Sequence, residues 1–549
     1  MTLKWSPGFT ITDPLVWLQA NDNSTITLNG SNVSQWDDKS GNDYDATQAV
    51  ESFQPTYQKA AGVTTSVVFD KLNDFLTVNI PQTSGTMILS TTNGTVAYEV
   101  SITAGNYEIG GHGGNYMPDN AIIGQMIFDT SISSDDKIAT INYFKNQGGG
   151  NNYESITNFS DFWREWKEIT VFPEIDTSNG TNFTRTWFNC SGMTSFPLLD
   201  TSNGITFSLT WRGCSSLPSF PLIDTSNGVD FEDAWLGCSS LTSFPLIDTS
   251  NGTSFNSTWS GCSGLTSFPA IDTSSGVDFN LAWLNCSGLT GAFPLIDTSS
   301  GTQFTQTWRG CSSLTSFPLI DTSSNTTSFS QTWRFCSGLT AFPLIDTSNA
   351  TNFFQAWANC TNLQSFPAID TSSATNFYQT WIDCTNLQSF PLIDTSNVTD
   401  FRQTWRSCGN ISPFPAIDLM NGQNFFETWL SCNGITSFAP TGVSSGRYFE
   451  KTWQGCSNLV SFPANFFDSW AGVPLNNCFV NAWNDCTSLS ATSVENILNS
   501  IDTSGISAPA SGVDITIDYD AGSGSPNIAT AVTNLKGRGW TITLNGVAQ

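Results

Sequence analysis

The sequence is poor in positive charge. Its 549 residues include 18 lysines and arginines against 46 aspartates and glutamates, which gives a net charge of −28. A surface this acidic repels nucleic-acid backbones and anionic membranes, so we expect no nucleic-acid partner. Charged residues make up only 12% of the chain, about half of the usual ~25%, and aromatic residues reach 13%. This composition predicts an uncharged polar surface around a real hydrophobic core.

Long hydrophobic runs are also missing. No segment approaches the ~18 apolar residues of a membrane span, so we expect no membrane insertion. The first residues, from Met1 to Pro7, lack the basic region and apolar stretch of a secretory signal, which favours a protein that is not exported by that route.

Catalytic constellations are scarce as well. The only histidine, His112, lies in a glycine-rich segment from Gly110 to Gly114 and is the one possible centre of a Ser-His-Asp or Cys-His site. Glycosidases need two carboxylates across a cleft, and no acidic pair between 80 and 135 has a suitable spacing. We therefore expect no enzyme activity, no catalytic residues and no cofactor.

A repeat dominates the middle of the chain. Tryptophans mark its register at 163, 187, 211, 235, 259, 283, 308, 333, 357, 381, 405, 429, 453 and 483, in steps of 24, twice 25, and finally 30 residues. Phenylalanine stands four residues before each of these tryptophans. Cysteine stands three residues after it in thirteen of the fourteen repeats. The pattern predicts fourteen coils of a solenoid.

Each coil shows two kinds of local pattern. Apolar residues at spacings 0, 4 and 7, such as Phe255, Trp259 and Cys262, predict one short helical turn. Leu265 and Phe268 follow and predict an extended segment that ends in a turn. Neither piece can bury its apolar side alone, so we expect coils to stack with matching residues in rows, in a right-handed solenoid.

The repeat resembles a known family. Its pattern, Asp-Thr-Ser-Asn-x-Thr-x-Phe-x-x-x-Trp-x-x-Cys-Ser-x-Leu-Thr-Ser-Phe, is similar to the BspA-like leucine-rich repeats of bacterial surface lipoproteins and some phage proteins. The match covers about 155 to 490, with Phe and Trp where relatives often carry Met and Phe. The resemblance implies adhesion or surface interaction and brings no catalytic residue.

The flanking segments lack the repeat. Short alternating runs at 63–69 and 121–128 predict an N-terminal β-sandwich, a jelly roll. The segments 15–22, 36–42 and 127–137 resemble concanavalin-A-like (laminin-G-like) lectin domains. After the last coil, the sequence predicts a helix near 493–499, a strand at 513–519, a helix at 527–535 and a strand at 540–544.

The predicted fold is therefore mainly β with short helices and has three domains. We expect a β-sandwich at 1–150, a leucine-rich-repeat solenoid at 151–490 and a small α/β cap at 491–549.

The fourteen cysteines invite a disulfide framework. Thirteen of them occupy one repeat position, and the first coil has Trp166 there, so the position is buried and apolar. Stacked side chains run parallel, which disfavours bridges between coils. Zinc would need converging ligands at short spacing. We expect reduced thiols in the core, with disulfides and a metal site as the alternatives.

A second row consists of aspartates, in eleven coils, at 176, 200, 224, 248, 272, 297, 321, 346, 370, 394 and 418. Stacked carboxylates repel each other unless something compensates their charge. An Asx-turn, in which the carboxylate accepts backbone N–H groups, is the simpler solution, and bound calcium is the alternative.

Four arginines follow a repeat tryptophan directly, in a stretch without lysine from 168 to 450: Arg212, Arg309, Arg334 and Arg406. This position turns away from the apolar face, so we expect these side chains on the surface. They are our candidate binding residues, for an acidic glycan or a partner protein. The alternative is that they keep the protein soluble or pair with acids on adjacent coils.

These observations and resemblances favour a virion protein: a phage tail fibre, a receptor-binding protein or a capsid decoration protein. It would assemble in the host cytoplasm with other virion proteins and recognise a host cell-surface glycan or protein. A homo-oligomer is one form that such a protein could take. The first alternative is a bacterial surface adhesin, although the first cysteine, Cys190, is far from the N-terminus. A polysaccharide-degrading enzyme is the second alternative.

Overall fold

The computed structural model describes residues 157–549 except 168 and 173, together with the backbone of thirteen strands within the first 156 residues. The chain divides into two compact units, Met1–Gly228 and Val229–Gln549. Among the described residues, no helix is both long and apolar enough to cross a bilayer.

The first unit begins with strands that pair antiparallel. The strands are β1 (Leu3–Trp5), β2 (Phe9–Ile11), β3 (Val16–Gln19), β4 (Ile26–Asn29), β5 (Asn32–Trp36), β6 (Ala46–Thr47), β7 (Thr56–Ala60), β8 (Val63–Val68), β9 (Phe75–Ile80), β10 (Gly85–Thr91), β11 (Gly94–Val100), β12 (Gly105–Gly110) and β13 (Ile122–Phe128). β1 and β2 form a two-stranded sheet. The others belong to an eleven-stranded sheet with the path β11-β10-β13-β8-β7-β5-β6-β9-β12, in which β3 pairs with β13 and β4 with β5.

Two of these strands, β8 and β13, occupy the alternating runs that predicted them. The packing of side chains between two sheet faces, which defines a jelly roll, falls outside the described residues. Most of the lectin-like segments, and of the glycine-rich segment Gly110–Gly114 with His112, also lies outside them.

In each unit, the described part of the repeat consists of stacked coils. The coils form a mainly β, leucine-rich-repeat-like solenoid. Neighbouring coils are joined by isolated parallel bridges, such as Asn182 to Thr206 in the first unit and Ser254 to Asp278 in the second. Paired strands occur at only one place in the described coils, between β14 (Gly291–Ala292) and β15 (Leu314–Ser316). The predicted extended segment is therefore real, but it is mostly too short to form a regular ladder.

The predicted helical turn is wrong. Around Trp259, backbone N–H groups alternate between two kinds of partner: Thr258 donates to Phe255 within the coil, and Trp259 donates to Ala282 of the next coil, at 2.9 Å. Ser257 and Gly261 adopt left-handed φ values of 54° and 72°. An α-helix has right-handed dihedral angles throughout, and its N–H groups beyond the first four bond within the segment. The alternating partners and left-handed residues seen here are those of successive tight turns that bond to the next coil.

The core consists of the predicted rows. The Phe, Trp and Cys positions are buried throughout the described coils, and the Trp side chains from 187 to 429 are 0% exposed. Successive indoles stack in parallel, for example Trp333 on Trp357 with ring centroids 5.3 Å apart. Phe342 contacts Trp333 edge-on at 4.8 Å, the geometry that aromatic pairs prefer.

Four C-terminal elements lie where the sequence predicts them: α1 (Ala491–Ser504), β16 (Asp514–Ile517), α2 (Ala529–Gly537) and β17 (Thr541–Leu544). A 3₁₀ turn (Ala521–Ser523) and β18 (Val547–Ala548) are additional. Ser490 caps α1 by accepting the N–H of Ser493, and Gly505 ends it with a φ of 73°. β16 pairs parallel with β17. The division into three domains remains a prediction.

Candidate functional site

The predicted arginines lie half-buried on the outer side of the tight turns that contain the tryptophans. In the first unit, the Arg212 guanidinium lies 5.7 Å from the Phe188 ring. The second unit contains the other three. Of these, Arg309 and Arg334 occupy the same position in adjacent coils, so the structure brings two of the four candidates together.

Arg309 and Arg334 share one aromatic ring. Their guanidinium carbons lie 5.9 and 4.6 Å from the centroid of Phe335, within the range of cation–π attraction. Phe335 is 39% exposed and has a φ of 63°, a conformation that is rare for a bulky residue. The corresponding position in other coils is often Gly or Asn. We call Arg309, Arg334 and Phe335 the arginine cluster.

The hydrogen-bond partners of this cluster are neutral. Arg309 donates to the Gln306 side-chain oxygen at 2.8 Å, and Arg334 donates to that of Gln355 at 2.7 Å. The Nε of Arg334 is buried without a hydrogen-bond partner. Partial burial, together with the charge of Arg309, lowers the pKa of Arg334. The cluster thus concentrates positive charge on an acidic protein.

Several other arginines of the described coils are neutralised by a carboxylate. Arg406 contacts Glu427 at 2.7 Å, Arg402 contacts Asp400 at 2.6 Å, and Arg185 contacts Asp161 at 3.0 Å. Arg309 and Arg334 form no such ion pair with a described carboxylate. Guanidinium groups with free capacity bind carboxylate, sulfate or phosphate groups, often with two parallel bonds. The arginine cluster is therefore the candidate site for an anionic ligand.

An aromatic surface extends along the following coils. Phe354 and Tyr378 contact each other with ring centroids 5.3 Å apart, and Arg402 lies 4.3 Å over Tyr378. Sequence reasoning missed these residues and Phe335. The signal was available, since residues one repeat apart in sequence must be neighbours, and Phe335 replaces the glycine or asparagine of other coils.

The aspartate row forms the predicted Asx-turns. In the second unit, an Asp272 carboxylate oxygen accepts the Ser274 N–H at 3.0 Å and the Ser274 hydroxyl at 2.7 Å. The buried Thr249 donates to the Asp272 backbone carbonyl at 2.5 Å, which links neighbouring coils. Among the described residues, no group of three or more potential ligands could hold a metal ion. The hydrogen bonds to Ser274 show that this carboxylate caps a turn.

We expect the protein to lose stability in acid. Backbone and side-chain hydrogen bonds from serine hold the pKa of Asp272 and Asp321 below the ordinary 3.8. A depressed pKa in the folded state stabilises it fully above about pH 4, and this contribution disappears as the pH falls through the lowered values. The measurement is the urea midpoint between pH 6 and pH 2, which should begin to fall below about pH 4. Asp272→Asn/Asp321→Asn, which keeps the turns, should flatten the profile; an unchanged profile would contradict the assignment.

The cysteines are free and buried, as the row predicts. The thiol of Cys286 donates to the Trp259 carbonyl of the preceding coil at 3.1 Å. Burial raises the pKa of Cys286 to about 12, so almost no reactive thiolate exists at neutral pH.

We therefore expect alkylating reagents to leave all fourteen cysteines unmodified in the folded protein. In denaturant without reductant, mass spectrometry should find all of them modified. A count below about ten would show that disulfides had formed.

Comparisons with known proteins place the chain in no family. No family model matches it, and no curated protein matches it. A solved structure, a plant peptide hormone receptor, RGFR1, in complex with RGF2, is similar over 69% of this chain and 71% of that chain, with 13% sequence identity and a TM-score of 0.18.

Proposed function

We propose that the protein is a non-catalytic recognition protein whose coils hold a binding surface for an anionic group on a cell-surface glycan or protein. The arginine cluster is the observation that carries this proposal. Its two guanidinium groups lack carboxylate partners among the described residues, whereas several neighbours have one. The row of buried aromatic side chains beneath it keeps the two coils in fixed register.

More specifically, the protein would be a virion-associated attachment protein of a phage: a tail fibre, receptor-binding or capsid decoration protein. Two resemblances support the assignment to a phage particle. The repeats resemble BspA-like repeats, and the N-terminal segments resemble lectin-like domains. The composition supports it as well, since a surface rich in Ser, Thr and Asn with few lysines suits exposure outside the cell. A bacterial surface adhesin is the alternative.

Glycan binding tests the site. We expect the full chain to bind immobilised sulfated or sialylated oligosaccharides more tightly than neutral ones, and binding to weaken with salt. Arg309→Gln/Arg334→Gln should reduce binding about tenfold or more. Lys536→Gln changes one charge at an exposed position of α2 and should have little effect. Equal binding by wild type and double variant would refute the assignment.

The location of the protein tests whether it belongs to a phage particle. We expect mass spectrometry of purified phage particles to detect the chain. Detection on a bacterial surface and absence from particles would favour the adhesin. Release of reducing sugars from a host glycan would instead indicate a polysaccharide-degrading enzyme.

A further inference from the structure

The coils carry a row of exposed leucines that the core does not use. Leu295, Leu319 and Leu344 occupy the same position in three consecutive coils and are 63%, 62% and 59% exposed. In the second unit, Leu246 and Leu392 continue the row with 63% and 64% exposure, and alanines take the position at 270, 368 and 416. We call this set the leucine row. Single exposed leucines are normal, but an aligned series marks an interaction surface.

The backbone forces these leucines outward. Each follows a proline and precedes a buried Ile, and in the coil of Leu319 the Ile320 N–H donates to the Pro318 carbonyl at 3.1 Å. This bond, from residue i+2 to residue i, defines a γ-turn with Leu319 at its tip. Phe317 and Ile320 on either side are buried. The leucine therefore cannot turn inward while its neighbours fill the core.

One side of the leucine row is acidic. Asp297, Asp321 and Asp346 stand two residues after the three leucines, and each is exposed. A backbone N–H bond of 2.9 Å fixes one oxygen of each carboxylate. None of the three forms an ion pair with a described lysine or arginine. The residues on the other side, such as Thr315 and Thr340, are exposed and uncharged.

We propose that the leucine row is the docking surface for an amphipathic helix of a partner protein, with apolar residues on one face and lysines or arginines along one flank. The apolar face would cover the leucines, and the basic flank would lie over the aspartates. This proposal goes beyond the anion-binding function, because it concerns a different surface and a ligand of opposite charge.

The spacing of the coils suits a helix. Near the row, Phe293, Phe317 and Phe342 stack at 5.8 and 5.9 Å. Residues three and four apart along a helix are separated by about 4.5 and 6.0 Å, so one apolar side chain can meet each coil. Alternate residues of a strand are about 6.6–6.8 Å apart. A strand would therefore lose its register with the coils sooner than a helix. A second copy of this chain would bring another negatively charged surface and is disfavoured by charge.

A labelled peptide tests the proposal. The probe is a fluorescein-labelled synthetic helix of about 18 residues with leucines three and four apart and lysines on one flank. A scrambled peptide with the same charge but no apolar face is the comparison. We expect fluorescence anisotropy at physiological salt to show binding of the full chain to the first peptide, at least about tenfold tighter than to the second.

Matched variants locate the binding. Leu319→Ser/Leu344→Ser should weaken binding about tenfold or more. Asp321→Asn/Asp346→Asn, which keeps the turns, should weaken it and reduce its salt dependence. Urea midpoints close to wild type would show that both variants fold. Arg309→Gln/Arg334→Gln should leave peptide binding intact, which separates this surface from the arginine cluster.

Three results would overturn the proposal. The two peptides could bind equally, which would indicate charge attraction alone. The leucine variant could bind like wild type, which would place the peptide elsewhere. Sedimentation equilibrium could show a wild-type dimer that Leu319→Ser/Leu344→Ser dissociates, which would assign the leucine row to a second copy of the chain.

Discussion

We expect Trp381→Ala to lower the free energy of unfolding by about 4 kcal/mol. Trp381 is 0% exposed and stacks between Trp357 and Trp405, each 5.7 Å away. Phe366 and Phe390 contact it edge-on at 5.3 and 4.9 Å. Its indole nitrogen forms no hydrogen bond, so the whole loss comes from packing. Alanine would leave a cavity bounded by three coils, which cannot close without disturbing the stacking.

Urea denaturation of the full chain, followed by circular dichroism, measures this effect. Leu392→Ala is the matched control in the same coil. Because Leu392 is 64% exposed, this substitution should change the free energy of unfolding by less than about 0.5 kcal/mol. Trp381→Phe keeps an aromatic ring and should cost an intermediate amount. If Trp381→Ala cost no more than the control, the tryptophan row would not be the main stabilising element.

The sequence predicts the rows of the solenoid well because a fixed period places equivalent residues in contact. The burial of Phe255, Trp259 and Cys262 follows from that period and is confirmed. The backbone between them could not be predicted in the same way. A helix and a four-residue turn with one left-handed residue both return a side chain to the same face after four residues. Only the hydrogen bonds to the next coil distinguish them.

The candidate site was predictable in part. The position of the arginines after tryptophan indicates the correct surface, and a step of 25 residues puts Arg309 beside Arg334. Which arginines are neutralised depends on side chains of other coils. Arg406 forms an ion pair with Glu427, whereas the hydrogen bonds of Arg334 go to glutamines. Arg406 thus follows the alternative given for these arginines in place of ligand binding, since it pairs with an acid on the adjacent coil.

A chain of side-chain amides crosses the coils beside the arginines. Gln355 donates to Gln379, Gln379 to Gln403, and Gln403 to the Glu427 carboxylate at 2.7 Å. Glu427 ends the chain as a shared acceptor, since Arg406 lies 2.7 Å from one of its oxygens and Lys451 3.6 Å from the other. Each amide donates to the oxygen of the next side chain, so the last amide, Gln403, needs an acceptor at the end of the chain.

We therefore expect Glu427→Ala to destabilise the protein by about 2–3 kcal/mol. The substitution removes the hydrogen-bond acceptor of the Gln403 amide. Because Gln403 is only 9% exposed, water cannot replace that acceptor. Arg406 and Lys451 are 37% and 33% exposed and regain hydration, so the cost stays below that of breaking a fully buried ion pair.

Glu427→Gln is the matched control for this prediction. It keeps an oxygen for Gln403 and removes only the charge, so urea denaturation should show a loss of about 1 kcal/mol or less. An equal loss in the two variants would mean that the ion pairs with Arg406 and Lys451 stabilise this region, and that the amide chain contributes little. The difference between the two variants thus measures what the final acceptor contributes to the stacking of the coils.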